Sequence, residues 1–493
     1  MGMRARILLL LLAAAGIQAG TMPGSLPLAQ AQDLSTVRDI PAADSVLALG
    51  LAAWDEGEAR AAQRHFEHVR AEWPQSTVHS AATLMAARAA YEMGQFDRAR
   101  GLVNAFSSRY PGSSYATEAD VLLATIERAE QFLRERPIRI GVLLPMTDNA
   151  VVASQELFNG LHLAVRHINA NTPDSRPVEL VFRDIGATPD SARLATRELA
   201  SAGVDVLWGT LFSEEALAVA GEAERIGIPF LAPMATDPEV SRGRQFVFQA
   251  NPTMAVRGEL LARLAINGLR MDSVGVVAEF EPDDLSEQMV DAFVTEVSRL
   301  GGRINLLTFL PDERGWFELS DHFPADTLRH VEALLMPVFT DNPERTIGGI
   351  LSSLDMLGRD TRILGNAAWH DLPMTSHAGK YTTTYINDFS PPQVDLTDHD
   401  APQAHARSFV KSFRALARHE PGRLAWAGYD TGMFLMEVVQ AAPFDADARM
   451  LARAIREAPR FDGLAHRIGF EGTSVNRAVY YYRYSFGQLT LLR

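Results

Sequence analysis

The 493-residue chain contains no cysteine. That excludes disulfides, thiol nucleophiles and a lipid-bearing thiol. Lysine is nearly absent as well, at Lys380 and Lys411 only. With arginine supplying the other cations, this reads as codon preference. The formal net charge of -15 argues against a nucleic-acid partner, because binding phosphate requires clustered positive charge. Beyond the N-terminus no apolar run is long enough to span a bilayer, which takes about 20 residues. Motifs of catalysis are missing too. No G-x-G-x-x-G follows the first strand-like segment, and there is no phosphate-binding G-x-x-x-x-G-K-[ST], no H-E-x-x-H and no G-x-S-x-G. No enzyme activity, cofactor or resident metal is expected.

What is present begins with an export signal. Arg4 and Arg6 precede an apolar run over 7–17, and Ala29-Gln30-Ala31 supplies a cleavage signal. This pattern predicts a signal peptide over 1–31 and a mature start at Gln32. The mature protein is therefore expected to be soluble and periplasmic. A length of 493 residues exceeds one core, since single domains stop growing near about 250–300 residues, so several domains are expected.

Residues 43–134 are Ala-rich, helical in pattern and internally repeated. The stretch 54–76 aligns without gaps on 91–113 at an offset of 37 residues. Gly57 matches Gly94, Ala62 matches Ala99, Trp73-Pro74 matches Tyr110-Pro111, and Ser76 matches Ser113. Gly ends one helix, Ala permits close packing in the next, and the aromatic-Pro pair closes it. His65 and His68 lie three apart on one helix face but have no carboxylate or thiol companion to complete a metal site.

From residue 138 the pattern changes to short apolar runs alternating with helices. Strands are predicted at 138–144, 178–184, 204–210 and 229–233, then at 273–280, 303–310, 333–339, 362–367 and 382–389, with a terminal strand pair. The intervening helices include 155–169, 190–202 and 214–226. This alternation is that of βαβ units and parallel sheets. The strands are too many for one sheet, so an α/β fold of two doubly wound parallel-sheet lobes is expected behind an all-α repeat domain. Ligands of such sheets bind at the carboxyl ends of the strands, and two facing lobes form a cleft there. Two other candidates serve no recognisable reaction. Asp398-His399-Asp400 reads as a solvated loop, and His370-Asp371 has no nucleophile beside it.

Two resemblances follow from these residues. The repeat is similar to tetratricopeptide repeats, whose usual role is protein–protein contact, with a stabilising N-terminal cap as the alternative. The segments IRIGVLLPM, LFNGLHLAVRHINA, VELVFRDIGATPDSA and GTLFSEEALAVAGEAERIGIPFLAPMATDPEV resemble the type I periplasmic solute-binding proteins, nearest to the leucine/isoleucine/valine-binding branch. The likeness runs over roughly 138–493. It implies lobe 1 from 138–252 plus about 385–442, and lobe 2 from about 253–384 plus 443–493. It also implies capture of a small polar solute, usually an amino acid or amide, for an inner-membrane ABC permease. At positions that match the family, Ser213 would bind a ligand carboxylate, and Met234 and Thr236 would complete that half-site through a carbonyl and a hydroxyl with its N–H. Read alone, Ser213 is equally a helix cap and Thr236 a turn residue.

The chain also departs from the family. Glu214 and Glu215 stand where further Ser or Thr is common, Asp148-Asn149 replaces Thr-Gly, and Ala153 replaces a wall aromatic. After the first strand of lobe 2 the chain reads Phe280-Glu281-Pro282 where Tyr-Gly is usual. Phe280, Phe339 and Trp369, each just past a strand end, are the candidate wall of lobe 2, and Asp148 is a candidate on lobe 1. A branched-chain amino acid is therefore doubtful as ligand. An alternative is a ligand-independent envelope adaptor resembling lipoprotein activators of peptidoglycan synthases, which join the same two kinds of domain but need an anchor cysteine.

Overall fold

A computed structural model describes residues 37–147, 149–172, 175–280, 285–358, 361–371, 380–394 and 403–492. The chain divides into two compact units at Arg136/Pro137. In the first, helices α1 (Pro41–Asp55), α2 (Ala59–Glu72), α3 (His79–Glu92), α4 (Phe96–Arg109) and α5 (Ala116–Glu135) follow one another. The 37-residue repeat reappears as repeated backbone geometry. Gly57 and Gly94 are left-handed at φ +81° and +71°, conformations only glycine adopts without strain. Glu58 and Gln95 enter their helices at φ −84°, ψ 63° and φ −84°, ψ 64°. Trp73 and Tyr110 leave them at φ −128°, ψ 61° and φ −128°, ψ 55°. Small side chains make the close helix contacts: Ala62, Ala82, Ala86 and Ala99 are fully buried around Phe66 and Phe106.

Among the described residues the second unit holds two large sheets and a small two-stranded one. One has the order β2-β1-β3-β4-β5, from β1 (Ile138–Leu144), β2 (Val178–Asp184), β3 (Val206–Gly209), β4 (Phe230–Ala232) and β5 (Val247–Gln249). All of its pairs are parallel. Its connecting helices are α6 (Ala150–Asn171), α7 (Pro189–Ser201) and α8 (Ser213–Ile226). β1 and β3 are apolar at nearly every position, the pattern of strands buried on both faces.

The second sheet starts with α9 (Met254–Arg263), β6 (Ser273–Glu279), α10 (Leu285–Arg299), β7 (Arg303–Leu310), β8 (Ala333–Leu335), α11 (Pro343–Met356), β9 (Arg362–Gly365) and β10 (Thr383–Asn387). The chain then returns to the first sheet through α12 (Ala404–Ala417), α13 (Arg423–Ala441), α14 (Ala448–Glu457) and the short pair β11 (Phe461–Asp462) and β12 (Arg467–Ile468). It ends in the hairpin β13 (Tyr480–Ser485) and β14 (Gln488–Leu492). The second sheet runs β14-β13-β10-β9-β8-β6-β7; its β10–β13 and β13–β14 pairs are antiparallel and the others parallel.

The lobe limits expected from sequence need correction at two places. β10 pairs with β9, Thr383 opposite Ile363, so it belongs to the second lobe. Residues 443–493 are not all in that lobe: Leu451, Ala452 and Ile455 of α14, with Ile468 and Phe470, share the core of β1, α6 and α13. The apolar stripe of α14 is buried there, and only the terminal hairpin joins the second sheet. The chain therefore crosses between lobes three times: after β5, after β10 and before β13. Among the described residues no helix is long and apolar enough to cross a membrane. The signal peptide expected over 1–31 and the Asp398-His399-Asp400 stretch lie outside the described residues.

Candidate functional site

The site grows from the end of β3. Gly209 has φ +138°, and a Cβ there would lie 2.2 Å from the Leu143 carbonyl oxygen, so no other residue fits. Thr210 follows with φ +67°, an unfavourable conformation for a β-branched residue. Its amide donates to Leu143 O at 2.7 Å. Its side chain is fully buried, and its hydroxyl has no hydrogen-bond partner among the described residues. This sharp turn sends Leu211, Phe212 and Ser213 across the strand end and into α8.

Phe212 is the residue before α8 and has no side-chain acceptor for the free helix amides. Glu215 compensates by folding back, its Oε2 accepting from the Phe212 amide at 3.4 Å, one half of a capping box. Burial pushes the Glu215 carboxyl up. The amide hydrogen bonds from Phe212 and Leu211 oppose that rise, and the neighbouring Glu214 adds to it. Glu214 itself is exposed.

Ser213 and Thr236 meet. Ser213 Oγ accepts from the Thr236 amide at 3.2 Å and from the Asp237 amide at 3.3 Å. Both residues follow strand ends, and β3 and β4 are neighbours in the sheet, so parallel topology brings the two loops to one edge. The Met234 carbonyl accepts from Asn251 Nδ2 at 3.1 Å. The loop is fixed from beneath by Gln249, whose Nε2 donates to Ala235 O at 3.1 Å and Asp237 O at 3.0 Å. Gln249 is fully buried, and its Oε1 accepts from Ser241 Oγ at 2.6 Å. Gln249 and Asn251 were not foreseen from sequence, since β5 is too short to show a pattern.

The candidates on the second lobe separate. Phe280 is 53% exposed and stacks on Phe309 with centroids 4.7 Å apart. Phe339 is half-buried against the β6 core. Trp369 is no wall residue: it is fully buried, and its indole donates to Met336 O at 2.8 Å. Asp148 lies outside the described residues. Among the described residues no group of three or more metal-ligating side chains is found. His370 pairs with Tyr385 OH at 3.0 Å.

Where the chain crosses between lobes, Met234, Asn251, Asp388, Arg423, His466 and Asn476 line a small cavity of about 10 Å³, room for roughly one water. Asn476 ties the crossings together. Its Nδ2 donates to Ala250 O at 2.8 Å and Arg467 O at 2.7 Å, and its Oδ1 accepts from Gly469 N at 2.8 Å and Ala478 N at 2.9 Å. Asp430 of α13 accepts from the amides of Leu464, Ala465 and His466 at 2.7, 2.8 and 2.9 Å.

This arrangement agrees with what the chain is similar to. Residues 137–313 match the periplasmic binding protein family and residues 53–119 the tetratricopeptide repeat family. Proteins of Brucella abortus and Brucella suis described as Leu/Ile/Val-binding protein homolog 8 are 30% identical over 118 residues, which is 24% of this chain and 29% of theirs. A putative branched-chain amino acid ABC transporter protein from Rhodospirillum rubrum superposes over 72% of this chain and 100% of its own, with TM-score 0.59 and 20% identity. An ABC transporter substrate-binding protein from Sphaerobacter thermophilus does so over 72% of this chain and 96% of its own, with TM-score 0.52 and 20% identity. At such identity these structures speak for the fold. The chain thus contains one segment that matches the tetratricopeptide repeat family and, after it, one that matches the periplasmic binding protein family, and it spans less than a third of the length of the Leu/Ile/Val-binding protein homologs to which it is similar.

Proposed function

We propose that the second unit is a solute-binding protein that takes a small polar ligand of the amino acid or amide class between its lobes. We propose further that it acts in the periplasm after removal of the leader and presents its ligand to an inner-membrane ABC permease. The observation that carries this reading is the contact of Ser213 with the Thr236 amide at 3.2 Å, at the sheet edge where the family holds its solute. The Ser213 hydroxyl accepts both amides and keeps its own hydrogen to donate. Glu215 already accepts from the Phe212 amide at the head of α8, and a carboxylate there supports a neutral or zwitterionic solute over a purely anionic one. Binding by hinge closure around such a lip follows from two lobes joined by three crossings. The helical repeats would contribute contact with another envelope protein.

A thermal-shift screen against amino acids, amides and short peptides tests this. Ligand at about 100 times its dissociation constant adds about 2.7 kcal/mol of stability. Ser213→Ala is expected to abolish the shift while leaving the unliganded melting temperature within a few degrees. Absence of any shift across the screen, or a shift unchanged by Ser213→Ala, would overturn the reading.

A further inference from the structure

Among the described residues the two large sheets have four edge strands, and they are not treated alike. β2 carries Glu179, Arg183 and Asp184 along its length. β5 has three residues and is bridged by Val475 opposite Gln249. β7 begins with Arg303 and slips register against β6, the shift falling between Val274 and Gly275. Charges, short length and bulges are the usual protections of an edge strand. β14 has none of them. It reads Gln488-Leu489-Thr490-Leu491-Leu492, pairs only with β13 among the described residues and has no charge, proline or bulge.

Its register determines what that edge offers. Phe486 and Gly487, both with positive φ at 50° and 79°, form a two-residue turn, so Ser485 and Gln488 are the hydrogen-bonded closing pair. Antiparallel ladders alternate. The amides and carbonyls of Gln488, Thr490 and Leu492 therefore face β13, and those of Leu489 and Leu491 face away from the sheet. The side chains add a second signal. Leu489 stands opposite Tyr484 and Leu491 opposite Tyr482, so both lie on the face where the tyrosines are buried in the core with Tyr385 and Trp369. Yet Leu489 is 47% and Leu491 40% exposed. Among the described residues the core face of the sheet continues past its cover.

We infer that β14 is a self-association edge, pairing antiparallel with β14 of a second copy of this chain. A two-fold axis at Thr490 sets Leu489 opposite Leu491 of the copy. Both outward donors and both outward acceptors are then satisfied on each strand, four hydrogen bonds in all. The same operation packs the two exposed leucines of each copy against those of the other. No like charges meet across the axis, since β14 has none. The pattern is complementary to itself, which favours a second copy over a foreign strand.

The whole chain, run by analytical ultracentrifugation from low to high micromolar concentration, is expected to show a concentration-dependent dimer. Leu489→Pro removes an outward donor without touching the ladder to β13. Two donors are lost per dimer, so its dissociation constant is expected to rise about tenfold or more. Leu491→Lys is expected to do at least as much, by placing lysines in both cross-strand pairs. Unchanged melting temperature shows that each variant folds. Should Leu491→Lys fail to fold, Leu489→Pro carries the test, and hydrogen exchange at the amides of Leu489 and Leu491 in the unaltered chain carries it without any variant. Those amides are expected to gain protection with concentration. A monomer throughout the range overturns the proposal, as does a dimer that survives both substitutions, or Leu489 and Leu491 amides protected only when a different protein is added.

Discussion

Arg257 Nη1 donates to Asp388 Oδ1 at 2.6 Å across 131 residues of sequence, and Arg423 grips the other carboxylate oxygen. Asp388 sits on the crossing that follows β10, Arg257 in the first turn of α9 on the second lobe, and Arg423 at the head of α13 on the first. One carboxylate therefore ties both lobes to the hinge. Arg257 also donates to Asn251 Oδ1 at 2.9 Å and Pro252 O at 3.1 Å, on another crossing. Burial works to raise the Asp388 carboxyl, but the charges of Arg257 and Arg423 outweigh it and hold the group well below the usual carboxylate range.

The two arginines differ in exposure, and this ranks their variants. The Arg257 side chain is 7% exposed and that of Arg423 42%. Asp388→Asn leaves Arg257 as an unpaired buried charge, a loss of about 3–5 kcal/mol. Arg423→Ala leaves Asp388 still paired with Arg257 and is expected to cost about 1 kcal/mol, as for a half-exposed pair. Urea unfolding measures both. Equal losses would show that Arg257 does not depend on Asp388.

A second electrostatic device occurs once in each lobe. Glu222 of α8 binds Arg225 three residues on and Arg197 of α7 at 2.8 Å. Glu296 of α10 binds Arg299 three residues on at 2.6 Å and Arg263 of α9 at 2.6 Å. Arginine hydrogen bonds bring both carboxyls down to about 2. A lowered carboxyl stabilises the fold above its ordinary range and loses that contribution as the pH falls from about 4.5 towards 2. Glu222→Gln is expected to cost about 1–2 kcal/mol at pH 7, limited by the half-exposed arginines. The gap from the unaltered protein should close as the pH approaches 2. A gap that is constant with pH would show that the charge contributes nothing.

Some of this was legible in the sequence for identifiable reasons. Gly57 and Gly94 mark the repeat because a left-handed residue has to end each helix, and glycine is its cheapest occupant. Ser213 and Thr236 could be paired through the resemblance to the solute-binding family, and the physical reason for their meeting is that neighbouring parallel strands deliver the loops after them to one edge. Trp369 shows where such reasoning stops. Following a strand end places a residue at the correct edge without choosing its direction, and the Met336 carbonyl draws the indole into the core. Arg257, Asp388 and Arg423 had no local signal at all. Their association exists only once three crossings lie side by side. The fate of α14 was hidden likewise, because an apolar stripe reveals that a helix is buried but not against which lobe.

His79 makes the first unit sensitive to pH. Its ring is buried, with Nδ1 2.6 Å from Tyr110 OH. Burial chiefly, with the charges of Arg109 and Arg70, lowers it to about 4. A histidine lowered on folding leaves stability intact above its ordinary value near 6.5 and removes it progressively as the pH falls towards 4. The repeat unit is expected to lose about 1–3 kcal/mol across that window. His79→Gln should flatten the upper part of the window, between about pH 6.5 and 5, before the carboxylates titrate. Thermal melts at closely spaced pH values would detect this, and a slope unaffected by the substitution would assign it to another group.

A close helix contact in the second unit depends on two glycines. A Cβ on Gly160 of α6 would lie 2.1 Å from Ala425 O of α13, and a Cβ on Gly428 of α13 would lie 2.0 Å from Leu157 O of α6. Both obstacles are backbone atoms, so no side chain can swing aside. Gly160→Ala or Gly428→Ala must push the helices apart, at a cost of about 1–3 kcal/mol for overpacking. The two losses should not add. Once one methyl group has separated α6 from α13, the second enters space already opened, and the double variant is expected to be less damaged than the sum of the single ones. Urea unfolding of the three variants decides the matter. Strict additivity would mean that each glycine is accommodated by its own local shift and that the two helices do not move as rigid bodies.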